Sequence, residues 1–366
     1  MEFIDILRIA VKQGSSDIHL VIGKAPMIRL NGEINELPGF PPLSPEESKR
    51  LIYSILYDEQ KQRFEENLEL DCSFAVTNLA RFRVNVLMHR AGVECVLRVI
   101  SSKIPDPESL GIPTSVLEFA NLPRGLVLVT GPTGSGKSTT LACLIDIINS
   151  TRREHILTIE DPIEFVYEAK KCIIRQREVG QSTRSFGAAL KHALRQDPDV
   201  ILIGEMRDLE TISLAITAAE TGHLCFATLH TTDAAQTVDR IIDVFPPHQQ
   251  QQVRVQLSTV LKGVVCQSLI PIRDGGGRVA AREVMIVTPA IANLIREGKT
   301  HMIYNAIETG NKFGMVPLDR SLADLVNNGM VTFEDAMAKS SDPEKFRSLT
   351  GRAAGAPSAA APMGVY

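Results

Sequence analysis

The sequence predicts an α/β protein, with a P-loop core on a parallel sheet over residues 116–350 preceded by a smaller α+β domain over residues 1–100. Three observations predict it. From residue 125 onward, β-rich and helix-periodic segments alternate, as crossover connections between parallel strands require. The glycine-rich stretch GPTGSGKSTT at 131–140 follows the apolar run Leu126–Val129 and opens a helical pattern at Leu141, Leu144, Ile145 and Ile148. Between the two regions stands SSKIPDPESLGIPTS, residues 101–115, whose three prolines, one glycine and four serines mark a linker. A length of 366 residues fits this division, since about 150 residues is the usual size of one domain.

The amino terminus, MEFIDILRIAVKQG, has apolar residues at Ile4, Leu7, Ile9 and Val11 and early acids, so it predicts an amphipathic helix and not a signal peptide. Asp17–Ile22 and Pro26–Leu30 alternate as strands, and Asn31-Gly32 turns the second into Glu33-Ile34. Ser44 before Pro45-Glu46-Glu47 is an N-cap that starts a helical pair running to Asn67. Strands follow at Cys72–Val76, Ala80–Met88 and Val93–Ile100. In the second region strands are predicted at 125–130, 155–160, 200–204 and 224–229. A hairpin, Val264–Ile272 with Arg278–Val287, turns at Asp274-Gly275-Gly276-Gly277, and short helices begin near Pro289, His301, Pro317 and Phe333. The tail, residues 351–366, is low in complexity and predicted to be disordered.

Composition narrows the function. Net charge is −4, aromatics are 5% and tryptophan is absent, so no basic stripe with stacking rings points to nucleic acid. The six cysteines form no C-x-x-C pair, which argues against a zinc ribbon and a disulfide framework and fits a reducing cytoplasm. No apolar run reaches the ~18–20 residues that span a bilayer, so a membrane role has to come through a partner.

Gly131, Gly134, Gly136, Lys137 and Ser138 satisfy G-x-x-x-x-G-K-[ST], in which glycines let backbone N–H groups converge on phosphate oxygens at a helix N-terminus. The cradle therefore comprises Gly131, Pro132, Thr133, Gly134, Ser135, Gly136, Lys137, Ser138 and Thr139. Lys137 reaches the β- and γ-phosphates, and the Ser138 hydroxyl binds Mg²⁺. A glycine-rich turn between strand and helix is the bland competitor, and the strand before it and helix after it count against that. ATP or GTP is the expected ligand.

Such a cradle needs acids at the carboxyl ends of neighbouring strands to hold Mg²⁺ and orient the attacking water. ILTIEDPIEF sets Glu160, Asp161 and Glu164 at the end of one apolar run, and DPDVILIGEMRD sets Glu205 at the end of another, with Gly204 where a strand-closing carboxylate is usual. Glu205 is the expected general base. Glu160 and Asp161 are expected to serve the metal and Glu164 the water, against the alternative of charged loops after strands. His230 ends the apolar strand in HLCFATLHTTDAA just before a helix start, where it could sense a γ-phosphate and signal to a neighbouring subunit. Most histidines are structural, and His223, at the other end of that strand, ranks below it.

With GPTGSGKST, TIEDPIEF, LIGEMRDLET and ATLHTTDAAQTVDRIIDVFP in this order, the chain resembles the secretion-superfamily ATPases, and among them the type IV pilus retraction ATPases. Their four boxes, Walker A, Asp, Walker B and His, are all present, and the likeness runs from SSDIHL through ARFRVN to PLDRSLADLV. The resemblance implies a homohexameric ring of RecA-like domains, each preceded by a PAS-like domain, hydrolysing ATP with Mg²⁺ at subunit junctions. It implies that Arg83 in RFRVN and Arg98 in CVLRVI act as arginine fingers. It also implies pilus machinery, an inner-membrane platform protein and a retraction paralogue as partners, with the ring peripheral to the inner membrane on its cytoplasmic side. Accessory retraction, pilus assembly and type II secretion ATPases are the alternatives. One departure stands out: where retracting relatives carry AIRNLIRE, residues 290–297 read AIANLIRE, with Ala292 in the arginine position. Absence of a tetracysteine site and of a longer amino-terminal extension favours the retraction branch.

Overall fold

A computed structural model describes residues 2–30, 32–77, 79–100 and 104–351. The chain divides into two compact units, one of the described residues within Met1–Lys103 with Glu164–Val166, the other of Ile104–Ile163 with the described residues from Tyr167 on.

The first unit runs α1 (Phe3–Lys12), β1 (Asp17–Leu20), β2 (Met27–Leu30), β3 (Glu33–Glu36), α2 (Pro45–Tyr53), α3 (Asp58–Asn67), β4 (Glu69–Val76), β5 (Ala80–His89) and β6 (Gly92–Ile100). Its six strands form one antiparallel sheet, ordered β3-β2-β1-β6-β5-β4. Period-two alternation buries Phe82, Val84 and Val86 of β5 and Cys95 and Leu97 of β6 against the helices. The opposite face of β5 carries Arg83 into solvent, as that of β6 does Arg98. Ser44 and Glu47 close a capping box at the start of α2. In α1 the apolar face differs from the one expected. Phe3, Ile6, Leu7 and Ala10 are buried, at i, i+3, i+4 and i+7, whereas Ile9 is exposed. Of the predicted Asn31-Gly32 turn, Asn31 lies outside the described residues, and β2 and β3 pair from Leu30 with Glu33.

The second unit runs α4 (Thr114–Leu117), β7 (Gly125–Thr130), α5 (Lys137–Thr151), β8 (His155–Glu160), β9 (Ile173–Glu178), α6 (Phe186–Ala193), β10 (Val200–Ile203), α7 (Leu209–Glu220), β11 (Leu224–Leu229), α8 (Ala234–Asp243), α9 (Pro247–Val260), β12 (Leu261–Pro271), β13 (Arg278–Ile286), α10 (Pro289–Arg296), α11 (Ile303–Glu308), α12 (Leu318–Asn327), α13 (Phe333–Met337) and α14 (Pro343–Leu349). Seven strands form one sheet ordered β13-β12-β7-β11-β10-β8-β9, parallel except for the antiparallel edge strand β13. Every residue of β7 and β11 is buried, as expected of central strands covered by helices on both faces. Because six strands are parallel, their carboxyl ends share one edge of the sheet, where ligands of open α/β sheets bind.

Three differences from expectation have physical reasons. Strand β9 went unpredicted, because its sequence IIRQRE half-exposes a charged edge and lacks the continuous apolar run of its neighbours. Strand β12 begins at Leu261, ahead of the predicted Val264, because it follows α9 with no loop to mark its start. The segment expected as a free linker is fastened to the second unit: Cys143 donates to Pro105 O (3.2 Å) and Arg282 to Leu110 O and Gly111 O. The first residues of that predicted linker, 101–103, and the predicted disordered tail from 352 on lie outside the described residues.

Candidate functional site

The phosphate loop joins the carboxyl end of β7 to α5. Gly131, Gly134 and Gly136 all have positive φ, and a Cβ at Gly131 would stand 2.2 Å from Gln267 O, so glycine is required there for packing as well as conformation. Gly136 caps α5, whose first turn has no acid to neutralise its positive end and whose leading N–H groups have no partners of their own within the helix. Lys137 Nζ arches over the loop to Gly131 O (2.7 Å) and Pro132 O (3.1 Å). Burial lowers the pKa of its ammonium, and Glu205 opposes that shift. Ser135 is buried and its hydroxyl has no hydrogen-bond partner among the described residues, a donor suited to a phosphate oxygen. Ser138 is exposed at the start of the helix.

Glu205 follows β10 through Gly204. A Cβ on Gly204 would come within 3.1 Å of both Glu160 Cα and Ile159 O on β8, which explains why no side chain stands at this strand end. The Glu205 turn is stitched to β11, since Met206 N donates to Thr228 O (3.1 Å) and the Thr228 hydroxyl to Gly204 O. Here β10 and β11 bring two predicted site residues together: Glu205 Oε1 lies 3.0 Å from His230 Nε2. Arg207, which sequence reasoning passed over, grips the same carboxylate with both arms of its fork, Nε to Oε1 and Nη2 to Oε2, each at 2.7 Å. Burial alone would raise the Glu205 pKa, but hydrogen bonds and charge from Arg207 and His230 outweigh it and hold the carboxyl below its usual value. His223, by contrast, makes local bonds to Ala218 O and Thr221 at the opposite end of β11.

The acids after β8 separate. Glu160 is buried and accepts from Thr158 Oγ1 (2.6 Å) and Gln176 Nε2 (3.2 Å), so it is committed to the fold. Asp161 is exposed, and its charge is felt by Arg207. Glu164 is exposed and falls in the first unit. The unpredicted strand β9 fixes this segment, with Glu178 Oε2 accepting from Ile163 N (3.0 Å) and Gln176 Oε1 from Tyr167 N (2.9 Å).

Gln267 of β12 is the other residue missed. It is 3% exposed, donates to Ser135 O (2.7 Å) and accepts from Thr140 Oγ1 (2.9 Å), tying both ends of the loop to the sheet. A neutral glutamine inside a strand has no motif to announce it. In the first unit, Arg83 and Arg98 are direct cross-strand partners and both are exposed, with Arg98 Nε bonded to Asp17 Oδ1 (2.9 Å). Arg81 instead donates to Ser73 Oγ (2.6 Å). Like charges placed opposite each other repel, so this pair favours an anion beside it.

No group of three His, Cys, Asp or Glu side chains among the described residues is arranged to hold a metal. Mg²⁺ on a phosphate loop needs no such cage, because phosphates and water fill most of its octahedron. The exposed Ser138 and Asp161 fit that lighter duty.

The family model for Type II/IV secretion system protein matches residues 3–275. The chain belongs to that family. It is an ATP-hydrolysing enzyme of that family. The type IV pilus retractation ATPase PilT of Pseudomonas aeruginosa is 54% identical, over 94% of this chain and 100% of that protein. A twitching motility protein of Neisseria gonorrhoeae is 49% identical over 94% of this chain and 91% of its own length. The crystal structure of the pilus retraction motor PilT with bound ADP superposes with a TM-score of 0.89 at 48% identity, covering 94% of this chain and 98% of that one.

Proposed function

We propose that this chain forms a hexameric motor that hydrolyses ATP with Mg²⁺ to retract type IV pili, working on the cytoplasmic side of the inner membrane through the pilus platform protein. A retraction paralogue and the wider pilus machinery are its further partners, and no nucleic acid is involved. The observation that carries the catalytic part is the meeting of Lys137, Glu205 and His230 at one sheet edge, with Glu205 held by His230 and within the electrostatic reach of Lys137. Similarity to retraction motors supplies the load. Among the described residues no helix is long and apolar enough to cross a membrane.

In this reading the loop N–H groups, the Ser135 hydroxyl and Lys137 hold the phosphates, and Lys137 exchanges its two loop carbonyls for phosphate oxygens. Ser138 and Asp161 would hold Mg²⁺, whose charge would offset that of the phosphates, with Glu160 in support. Glu205 takes a proton from the attacking water. To do so Glu205 has to be released by Arg207, whose side chain is 67% exposed and free to turn outward. His230 stays on the carboxylate and reports its state. Arg83 and Arg98 meet the nucleotide of a neighbouring subunit.

Two variants test the chemistry. Lys137→Ala abolishes nucleotide binding, whereas Glu205→Gln binds ATP but hydrolyses it about 10²–10⁴-fold more slowly, because a base acts in the transition state. Near-normal turnover in Glu205→Gln would move the base elsewhere. A deletion strain tests the load: loss of surface motility with excess pili identifies retraction, and bald cells identify assembly.

A further inference from the structure

The β12–β13 hairpin lies outside all four sequence boxes, yet it touches the site repeatedly. Gln267 of β12 holds the phosphate loop. On β13, the consecutive residues Arg282 and Glu283 project to opposite faces, as strand geometry requires, and each grips the backbone of a different segment.

Glu283 is 2% exposed and accepts from Ala234 N (2.8 Å). Ala234 is the first residue of α8, and the stretch between it and His230 is tied to the same turn. Thr231 Oγ1 meets Thr237 Oγ1 at 2.7 Å, and Asp233 caps Gln236 N at 2.8 Å. His230 and Ala234 are thus joined by a short segment whose side chains are tied to the first turns of α8. Arg282 is buried and forms no ion pair among the described residues. Its fork donates instead to Gly111 O (2.8 Å) and Leu110 O (3.1 Å), while Nε has no partner among them. Burying a guanidinium against carbonyls alone is costly, so what it secures is the path of that segment. Glycine at 111 has φ +58°, a tight bend that presents two successive carbonyls to one fork.

We infer that Arg282 and Glu283 are a positioning pair that passes the state of the His230 loop to residues 104–113, so that nucleotide in the cradle is reported at the strap through which the chain enters the second unit. The inference rests on the cradle being a nucleotide site. Neighbouring residues on one rigid strand move together, and one holds the sensor loop while the other holds the strap.

Hydrogen exchange of the full-length protein, with and without Mg²⁺ and ADP, tests it. In the unsubstituted protein ADP slows exchange in 131–139 and changes it by about twofold or more in 104–113. Glu283→Ala removes the acceptor of Ala234 N–H, so protection of 131–139 persists and the response of 104–113 is lost. Arg282→Lys cannot span two carbonyls, and 104–113 then exchanges about fivefold faster or more whether ADP is present or not. Should Glu283→Ala fold poorly, Ala234→Pro deletes the same hydrogen bond at a position where helices accept proline, after a residue already extended. A strap indifferent to ADP while 131–139 is protected overturns the inference, as does a normal strap response in Glu283→Ala or Ala234→Pro. Absence of protection at 131–139 strikes the nucleotide reading instead.

Discussion

Glu205 illustrates how one carboxylate is tuned by its neighbours. Burial works against its charge, but Arg207 and His230 prevail and its folded pKa lies below the usual value. The sign follows: a depressed carboxyl favours the folded state above its unfolded pKa, and that contribution fades as pH falls through the folded value. For the proposed base it means that activity survives into mild acid. Arg207→Ala should move the acid limb of kcat/KM upward by about 1 pH unit, since an adjacent cation lowers a carboxyl pKa by ~1–3 units. Phosphate release measured across pH reads this directly, and an unmoved acid limb would show that Arg207 does not govern the base. Arg207 stands two residues from Glu205 in GEMRD, so it was visible in the sequence. Its role was not, because two-residue proximity in a loop leaves side-chain direction open.

At the scale of elements, local periodicity exposed most strands and helices, while contacts between distant segments stayed hidden. The first helix was found on period, but of the residues read as its stripe, Ile4, Leu7, Ile9 and Val11, only Leu7 belongs to the buried face of Phe3, Ile6, Leu7 and Ala10, because hydrophobicity alone does not fix phase. Strand β9 hid behind its charges, and with it the glutamate and glutamine that steady the acids after β8. Gln267 reaches the loop across 132 residues of sequence, and such a bond leaves no local trace. Gln267→Ala removes the partner of a buried carbonyl and a buried hydroxyl and should weaken nucleotide binding about tenfold, given ~1–3 kcal/mol for an unsatisfied group. Titration with a fluorescent ADP analogue measures it, and unchanged affinity would make the clamp dispensable. Gly204→Ala should lower stability by about 1–3 kcal/mol, because its methyl meets backbone of β8 that cannot step aside. A thermal midpoint equal to that of the unsubstituted chain would contradict this.

For the whole molecule, the proposed ring predicts complementation. Arg98→Ala and Lys137→Ala chains, each inactive alone, should recover part of the turnover when mixed, because some junctions pair an intact cradle with an intact finger. A verified mixed ring with no recovery would refute sites shared between subunits. Coupling to load is separable from chemistry. On α10, Ile291 and Ile295 are buried while Asn293 and Arg296 are exposed, with Asn293 bonded to Glu297. Replacing Asn293 and Arg296 together by Ala should leave ATP turnover within about threefold, since exposed polar changes cost only ~0.5 kcal/mol, yet stop retraction in the cell. Normal retraction at normal protein level would remove α10 from the load path.

The order of strands also has a meaning in time. The central strand β7 pairs on one side with β11 and on the other with β12, and Gln267 of β12 fastens the phosphate loop. A nascent chain leaving the ribosome has the whole sheet of the first unit available once Ile100 has emerged, and domains fold as units during synthesis. Its cradle cannot be completed until residue 267 follows, long after the glycines and Lys137 have been made. Half-synthesised chains therefore carry the most recognisable motif of the protein without the ability to use it, and ATP is not consumed by a motor that has not yet been built.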